Sequence, residues 1–247
     1  MKYIIKTESL ENLPDTRPLI AMDSDGALKW LIDNGSATKM IDLGLESGTL
    51  WAAYNLGATP GDTASSYYGN YFMWADPEPA NTKTCTWKNY KYSNGAYNKL
   101  TKYCPADKTS YWDGGGTPDK LTTLVDIDDP ATVILGPQYY SPSTNQINEL
   151  KALNNEWVTN YDGISGLNGR VFTGTNGNTL FIPAAGRRGS SFEATGTGAY
   201  LWSSALYTFT PYDSYYLTFN STKINLEHYY RYYACSVRAV RNAYKSN

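Results

Sequence analysis

From Ile41 onward the apolar residues come in short runs broken by Gly, Asn, Asp and Pro. That texture confines the chain to short strands and long loops, with little helix. Val171-Phe-Thr and Thr179-Leu-Phe-Ile flank Gly-Thr-Asn-Gly-Asn, where Asn176-Gly177 tolerates the positive φ of a tight turn, so a hairpin is expected. Tyr200-Leu-Trp-Ser-Ser, Tyr215-Tyr-Leu-Thr-Phe and Cys235 through Arg241 also read as strands. Two short helices stand out. Ser143-Thr-Asn-Gln146 has capping-box spacing and leads into Ile147, Leu150 and Leu153. A second starts at Asp129, with Pro130 in its first turn and Gly136 closing it. The expected class is α+β.

Residues 1–38 differ in texture. Leu28, Leu31 and Ile32 have helical spacing with Gly35 as a stop signal, and Pro14 and Pro18 mark an extended approach. This segment is expected to be an N-terminal arm or adaptor, and residues 39–247 the domain proper. Within that domain, Tyr54 to Asp126 is polar and rich in Gly, Tyr and Trp. A loop region so long is pinned by aromatic packing or carries function.

A length of 247 residues fits one large β-rich domain with a small appendage. With 21 basic and 23 acidic residues the net charge is −2, which gives no basic footprint for nucleic acid. Mean hydropathy is −0.49 and no apolar run approaches a membrane span, so no membrane insertion is expected. Cys85, Cys104 and Cys235 are too few for a disulfide framework, although one bridge would be open to them. The N-terminus lacks the apolar core of a secretory signal peptide.

The chemistry-bearing residues form no familiar constellation. Gly114-Gly115-Gly116 lacks the strand and helix that a phosphate loop needs. Asp126, Asp128 and Asp129 do not have calcium-loop spacing and read as a solvated face or helix cap. Asp and Glu are plentiful, but no motif selects a glycosidase pair. The lone histidine, His228, has neither a nucleophile elbow nor a metal-ligand partner at a recognisable spacing. Its pairing with Cys235 has equally little sequence support. No enzyme activity, cofactor or metal site is expected.

Tyrosine is the outlier, with 23 copies against 6 Phe. Eight of them lie between Tyr207 and Tyr233. Adjacent pairs such as Tyr215-Tyr216 and Tyr229-Tyr230 must point to opposite faces of any regular strand. A Tyr-rich segment interspersed with Ser, Asp and Asn has the composition of a binding surface.

An ordered series of motifs then carries a resemblance. Ile41-Asp-Leu-Gly-Leu-Glu-Ser-Gly-Thr-Leu-Trp51-Ala, Asn55-Leu-Gly-Ala and Tyr68-Gly-Asn-Tyr-Phe-Met-Trp74 come first. Leu100-Thr-Lys-Tyr-Cys104, Asp128-Asp129, Phe181-Ile-Pro-Ala-Ala-Gly186, Leu201-Trp-Ser-Ser204 and Arg231 through Arg241 follow. The series resembles the FISUMP-type (major paralogous) domain over about residues 40–243. Ser141-Pro-Ser143 stands where the family has Met-Pro-Thr, and Arg187 where it has an aromatic. The resemblance implies a C-type lectin-like fold with two short helices, small twisted antiparallel sheets and long pinned loops. It also implies kinship with the variable proteins of diversity-generating retroelements, in which adenine-directed mutagenesis rewrites codons near the 3′ end of the gene.

The implied function is non-enzymatic ligand or receptor binding, displayed on a phage tail or bacterial surface, with a variable region near 187–241. The partner would be a protein or other macromolecule on a host or target surface. The expected ligand-binding set is Tyr207, Phe209, Tyr212, Asp213, Tyr215, Thr218, Thr222, His228, Tyr229, Tyr230, Tyr232, Tyr233 and Ala234. Each is reachable by adenine substitution in an AAY codon, whereas Trp202, Lys223 and Glu227 are not and are expected to be scaffold. Trp51, Trp74, Trp202, Phe181 and Val237 are the expected core, and Tyr54, Tyr68, Tyr71 and Tyr103 the scaffold tyrosines. Glu78-Pro-Ala and Gly136-Pro-Gln lack the second ligand of a lectin calcium motif, so calcium-dependent sugar binding is not expected. The alternatives are an enzyme on the related formylglycine-generating-enzyme scaffold, a glycoside hydrolase, or a structural virion or surface component. Oligomeric state is left open.

Overall fold

The computed structural model describes residues 20–22, 28–30 and 38–242. The chain divides into two compact units, Met1–Thr38 and Lys39–Asn247. In the first, β1 (Ile20–Met22) and β2 (Leu28–Trp30) pair antiparallel with Ile20 opposite Trp30. The helix expected from Leu28 is therefore replaced there by a strand. Cross-strand pairing that runs from Ile20–Trp30 to Met22–Leu28 outweighs the helical spacing. The extended reading around Pro14 and Pro18 lies outside the described residues, as do Leu31 and Ile32.

The second unit is mixed α+β and mostly sheet, with two α-helices among the described residues. In chain order its strands are β3 (Met40–Asp42), β4 (Thr49–Ala52), β5 (Tyr71–Met73), β6 (Asn154–Val158), β7 (Gly169–Thr173) and β8 (Thr179–Pro183). β9 (Arg187–Arg188), β10 (Phe192–Glu193), β11 (Gly198–Leu206), β12 (Asp213–Asn220), β13 (Ile224–Tyr230), β14 (Ala234–Ser236) and β15 (Val240–Asn242) follow. Helices α1 (Pro130–Leu135) and α2 (Thr144–Ala152) lie between β5 and β6.

Both helices start where their caps dictate. The Asp129 carboxylate accepts from Ala131 N at 2.9 Å, Pro130 opens α1, and Gly136 ends it at φ 100°. At α2 the capping box is complete, with Ser143 Oγ accepting from Gln146 N and Ser143 N donating to Gln146 Oε1 at 2.9 Å. Ile147 and Leu150 turn inward. The expected hairpin is β7–β8, with Val171 opposite Phe181.

Three sheets result. One is ordered β15-β4-β3, one β6-β7-β8, and the largest β10-β9-β14-β11-β12-β13 with β5 also on β14. β11 and β14 run parallel through Leu201 and Ser236. The segment expected as one strand from Cys235 to Arg241 is two, each in a different sheet. Between them Val237 O accepts from Leu56 N and Ala239 O from Ala52 N, both at 2.8 Å, while Arg238 buries its guanidinium on the carbonyls of Ala52 and Phe181. Those bonds carry the chain from one sheet to the other.

Trp51 joins Ile147, Leu150, Phe172, Leu201, Leu217 and Val240 in one core cluster, and Trp74, Trp202, Tyr103, Tyr216 and Val237 share another. All five residues expected in the core are buried, Phe181 included. The indoles are also bonded: Trp74 Nε1 donates to Ser203 O and Trp202 Nε1 to Phe72 O, each at 2.8 Å. The region 54–126 is pinned from within. Tyr90 OH donates to Trp74 O at 2.9 Å, and Asp119 accepts from the main-chain N–H groups of Tyr103 and Cys104.

Candidate aromatic binding face

The site is built on the β12–β13 ribbon. Asp213 pairs with Tyr230, Tyr215 with His228 and Tyr216 with Glu227. Alternation along β12 sends Tyr216 inward, edge-on to Trp202 at 5.8 Å, while Tyr215 goes to the opposite face and meets Tyr207 at 5.3 Å. A bulge between Trp202 and Leu206 shifts the β11–β12 register just before the chain leaves for the 207–212 loop.

Two ring groups form at the Asp213–Tyr230 end. In the first, the Tyr207 ring stacks on His228 at 3.6 Å and 8°, with Phe209 5.6 Å from Tyr207 and 72% exposed. His228 Nδ1 lies 3.0 Å from Asp213 Oδ2, which also accepts from Thr210 Oγ1 at 3.0 Å. Burial raises the Asp213 carboxyl above its ordinary range, against the lowering pull of the His228 and Thr210 bonds.

The second group draws on the long loop. Tyr212 contacts Tyr97 at 5.3 Å, Tyr111 at 5.5 Å and Tyr230 at 5.8 Å. Trp87 sits 6.0 Å from Tyr230 and 5.2 Å from Tyr232, and Tyr232 stacks on Tyr233 at 4.7 Å. At its inner end the Arg187 guanidinium lies over Tyr233, Tyr229 and Tyr200 at 4.3, 4.6 and 4.8 Å, with Glu193 paired to it at 2.9 Å. Such contacts hold a cation by the ring quadrupole as well as by charge. Beside Arg187 opens a cleft of about 660 Å³ lined by Tyr200, Tyr216, Thr218, Asn225, Glu227 and Tyr229.

The expected ligand-binding residues thus separate. Tyr207, Phe209, Tyr215 and His228 form one group; Tyr212, Tyr229, Tyr230, Tyr232 and Tyr233 belong to the other. Thr218 lines the cleft, and Thr222 is exposed in the turn where Asn220 Oδ1 accepts from Thr222 and Lys223. Two residues do not face outward. Ala234 is fully buried, because β14 is flanked by β5, β9 and β11. Asp213 is 6% exposed and holds His228 from beneath. Tyr54, expected in the scaffold, is 43% exposed, whereas Tyr71 and Tyr103 are buried and Tyr68 half-buried.

Trp87, Tyr97 and Tyr111 were not among the expected site residues. Their signal is the aromatic richness of the 54–126 region, which marks packing without saying against what. The acidic cluster is the expected solvated face at Asp126 and helix cap at Asp129, and departs from both at Asp128. Asp126 is exposed, Asp129 caps α1 and accepts from Ser141, and Asp128 is a buried hub for Tyr92, Tyr103 and Lys102.

All three cysteines are buried and free. Burial pushes the Cys104 thiol up to about 11 and the Cys235 thiol higher still. Among the described residues no three His, Cys, Asp or Glu side chains come together as a metal site. No helix there is long and apolar enough to cross a membrane. No protein-family model matches the chain, and no curated protein or solved structure matches it significantly.

Proposed function

We propose that this is a non-enzymatic ligand-binding protein whose Tyr-rich face, carried on a C-type lectin-like scaffold, is the product of a diversity-generating retroelement. The observation that carries the reading is the gathering of nine of the expected residues into two partly exposed ring groups at one end of β12–β13. Rigid tyrosines with few rotamers give large contact area at low entropic cost, and a few such anchors supply most of the energy of an interface. The two short helices, small sheets and pinned long loop are in keeping with the scaffold that the motif series implies. Display on a phage tail or bacterial surface, toward a macromolecule on a host or target, belongs to the same reading. The buried, protonated Cys235 thiol weighs against reactive-thiol chemistry on this scaffold, since the thiolate is the nucleophile.

The test is a library of the full chain in which the codons for Tyr207, Phe209, Tyr212, Tyr215, Thr218, Thr222, His228, Tyr229, Tyr230, Tyr232 and Tyr233 are replaced by AAY-derived mixtures. Most members are expected to fold, with melting temperatures within a few degrees of the parent, and selection is expected to yield binders to unrelated proteins. Widespread unfolding of the library would show these side chains to be structural and would overturn the reading.

A further inference from the structure

β13 is the last strand of the large sheet, and its main chain is half unused. Arg231 N donates to Tyr212 O and Asn220 N to Lys223 O, each at 3.0 Å. Both pairs continue the register set by Asp213 opposite Tyr230. Antiparallel pairs alternate between bonded and non-bonded, so the bonded pairs between those two are Ser214–Tyr229, Tyr216–Glu227 and Thr218–Asn225. The N–H and C=O groups of Leu226 and His228 therefore point away from β12. Among the described residues they meet no hydrogen-bond partner, whereas Tyr230 O accepts from Tyr233 N at 3.1 Å. Edges of this kind are normally blunted by Pro, charged side chains, a bulge or a cover. Ile224–Tyr230 has no Pro, carries one charge, Glu227, and pairs with β12 without a register shift. It packs its Ile224 and Leu226 side chains with Ile147 and Leu150 of α2, while the outward N–H and C=O groups of Leu226 and His228 stay unbonded.

The free groups recur every second residue, about 7 Å apart, and the match to that pattern is another extended main chain. The neighbouring side chains suit it. Glu227 and Tyr229 line the cleft, which His228 also borders, and the His228 ring stacks on Tyr207. We propose that β13 takes an extended peptide segment of a protein ligand as an added strand, whose alternate side chains enter the cleft beside Glu227 and Tyr229. This mode draws affinity from main-chain bonds and specificity from the side-chain pockets. It rests on the reading of this end of the sheet as a binding face.

The full 247-residue chain would be panned against a displayed library of random nine-residue peptides, and the best peptide titrated by calorimetry. His228→Pro removes an outward N–H and leaves the β12 ladder intact, whereas His228→Ala removes the same imidazole and keeps the N–H. The proline variant is expected to bind at least about tenfold more weakly than the alanine variant, the scale of a lost main-chain bond and its steric block. N-methylation of the peptide at alternate positions is expected to weaken binding by a similar factor, and at the intervening positions to leave it within about twofold. This scan decides the matter alone if the proline variant fails to fold by circular dichroism. Equal affinity of the two variants together with uniform tolerance of N-methylation would overturn the proposal. So would a concentration-dependent dimer abolished by His228→Pro, which would assign the edge to a second copy. If the peptide library yields nothing but a library of folded domains yields binders, strand addition falls and the binding-face reading stands. If neither yields binders, both fall.

Discussion

Asp128 and Asp129 are neighbours with opposite electrostatic fates. Burial alone would raise the Asp128 carboxyl, but hydrogen bonds from Lys102, Tyr92 and Tyr103 outweigh it and hold it below its ordinary value. Asp129 is also bonded, to Ser141 and the start of α1, yet burial dominates and raises it. The sign of each shift fixes its pH dependence. The Asp128 contribution is present above the unfolded carboxyl range of about 4 and is lost as pH falls through the lower folded value. Asp128→Asn, which leaves Lys102 without its counter-ion, is expected to cost about 3 kcal/mol at pH 7. Chemical denaturation at pH 7 and pH 3 would check this: the gap to wild type should narrow at the lower pH. These roles were not legible in the sequence. The acidic cluster was visible, but the Tyr and Lys donors that decide its behaviour come from 25 or more residues away.

Elements set by local rules were legible, and those set by distant partners were not. The cap of α1, the capping box of α2 and the Asn176-Gly177 hairpin each depend on residues within one turn of chain, and each forms. The split of Cys235–Arg241 depends on carbonyl and amide partners in β4 and the chain after it, so its apolar run reads as one strand. Of the site, the tyrosine-rich segment was readable as a composition, while its division into two groups comes from the β12–β13 register and from loop residues such as Tyr97.

Gly186 shows why one motif glycine belongs to the element. It has φ 73°, and a Cβ there would stand 2.4 Å from Glu193 O and 2.8 Å from Thr195 N. Gly186→Ala is expected to destabilise by at least about 2 kcal/mol, combining left-handed strain with a backbone clash. It should also disturb Arg187, the next residue, and with it the three-tyrosine cage. Thermal melting and tyrosine fluorescence of the variant would test both. Ser143→Ala, removing one arm of the capping box, is expected to cost about 1 kcal/mol by denaturant titration.

Across the whole molecule the aromatic residues divide between a core that holds the sheets together and two partly exposed ring groups at the Asp213–Tyr230 end, whose Tyr229, Tyr232 and Tyr233 also pack against that core. Trp202, on β11 and packed against β5 and Tyr216, should cost about 3–5 kcal/mol on replacement by Ala. Phe209→Ala, at the exposed tip of its loop, should stay within about 0.5 kcal/mol. Equilibrium unfolding of the two variants side by side measures that contrast. The central claim, that the face is diversified while the scaffold is held fixed, is tested most directly by sequencing this gene in sibling isolates. Substitutions are expected to concentrate in the codons for Tyr207, Phe209, Tyr212, Tyr215, Thr218, Thr222, His228, Tyr229, Tyr230, Tyr232 and Tyr233. The codons for Trp202, Lys223 and Glu227 and for residues 41–74 should be constant. Codons for 207–233 no more variable than those for 41–74 would contradict it.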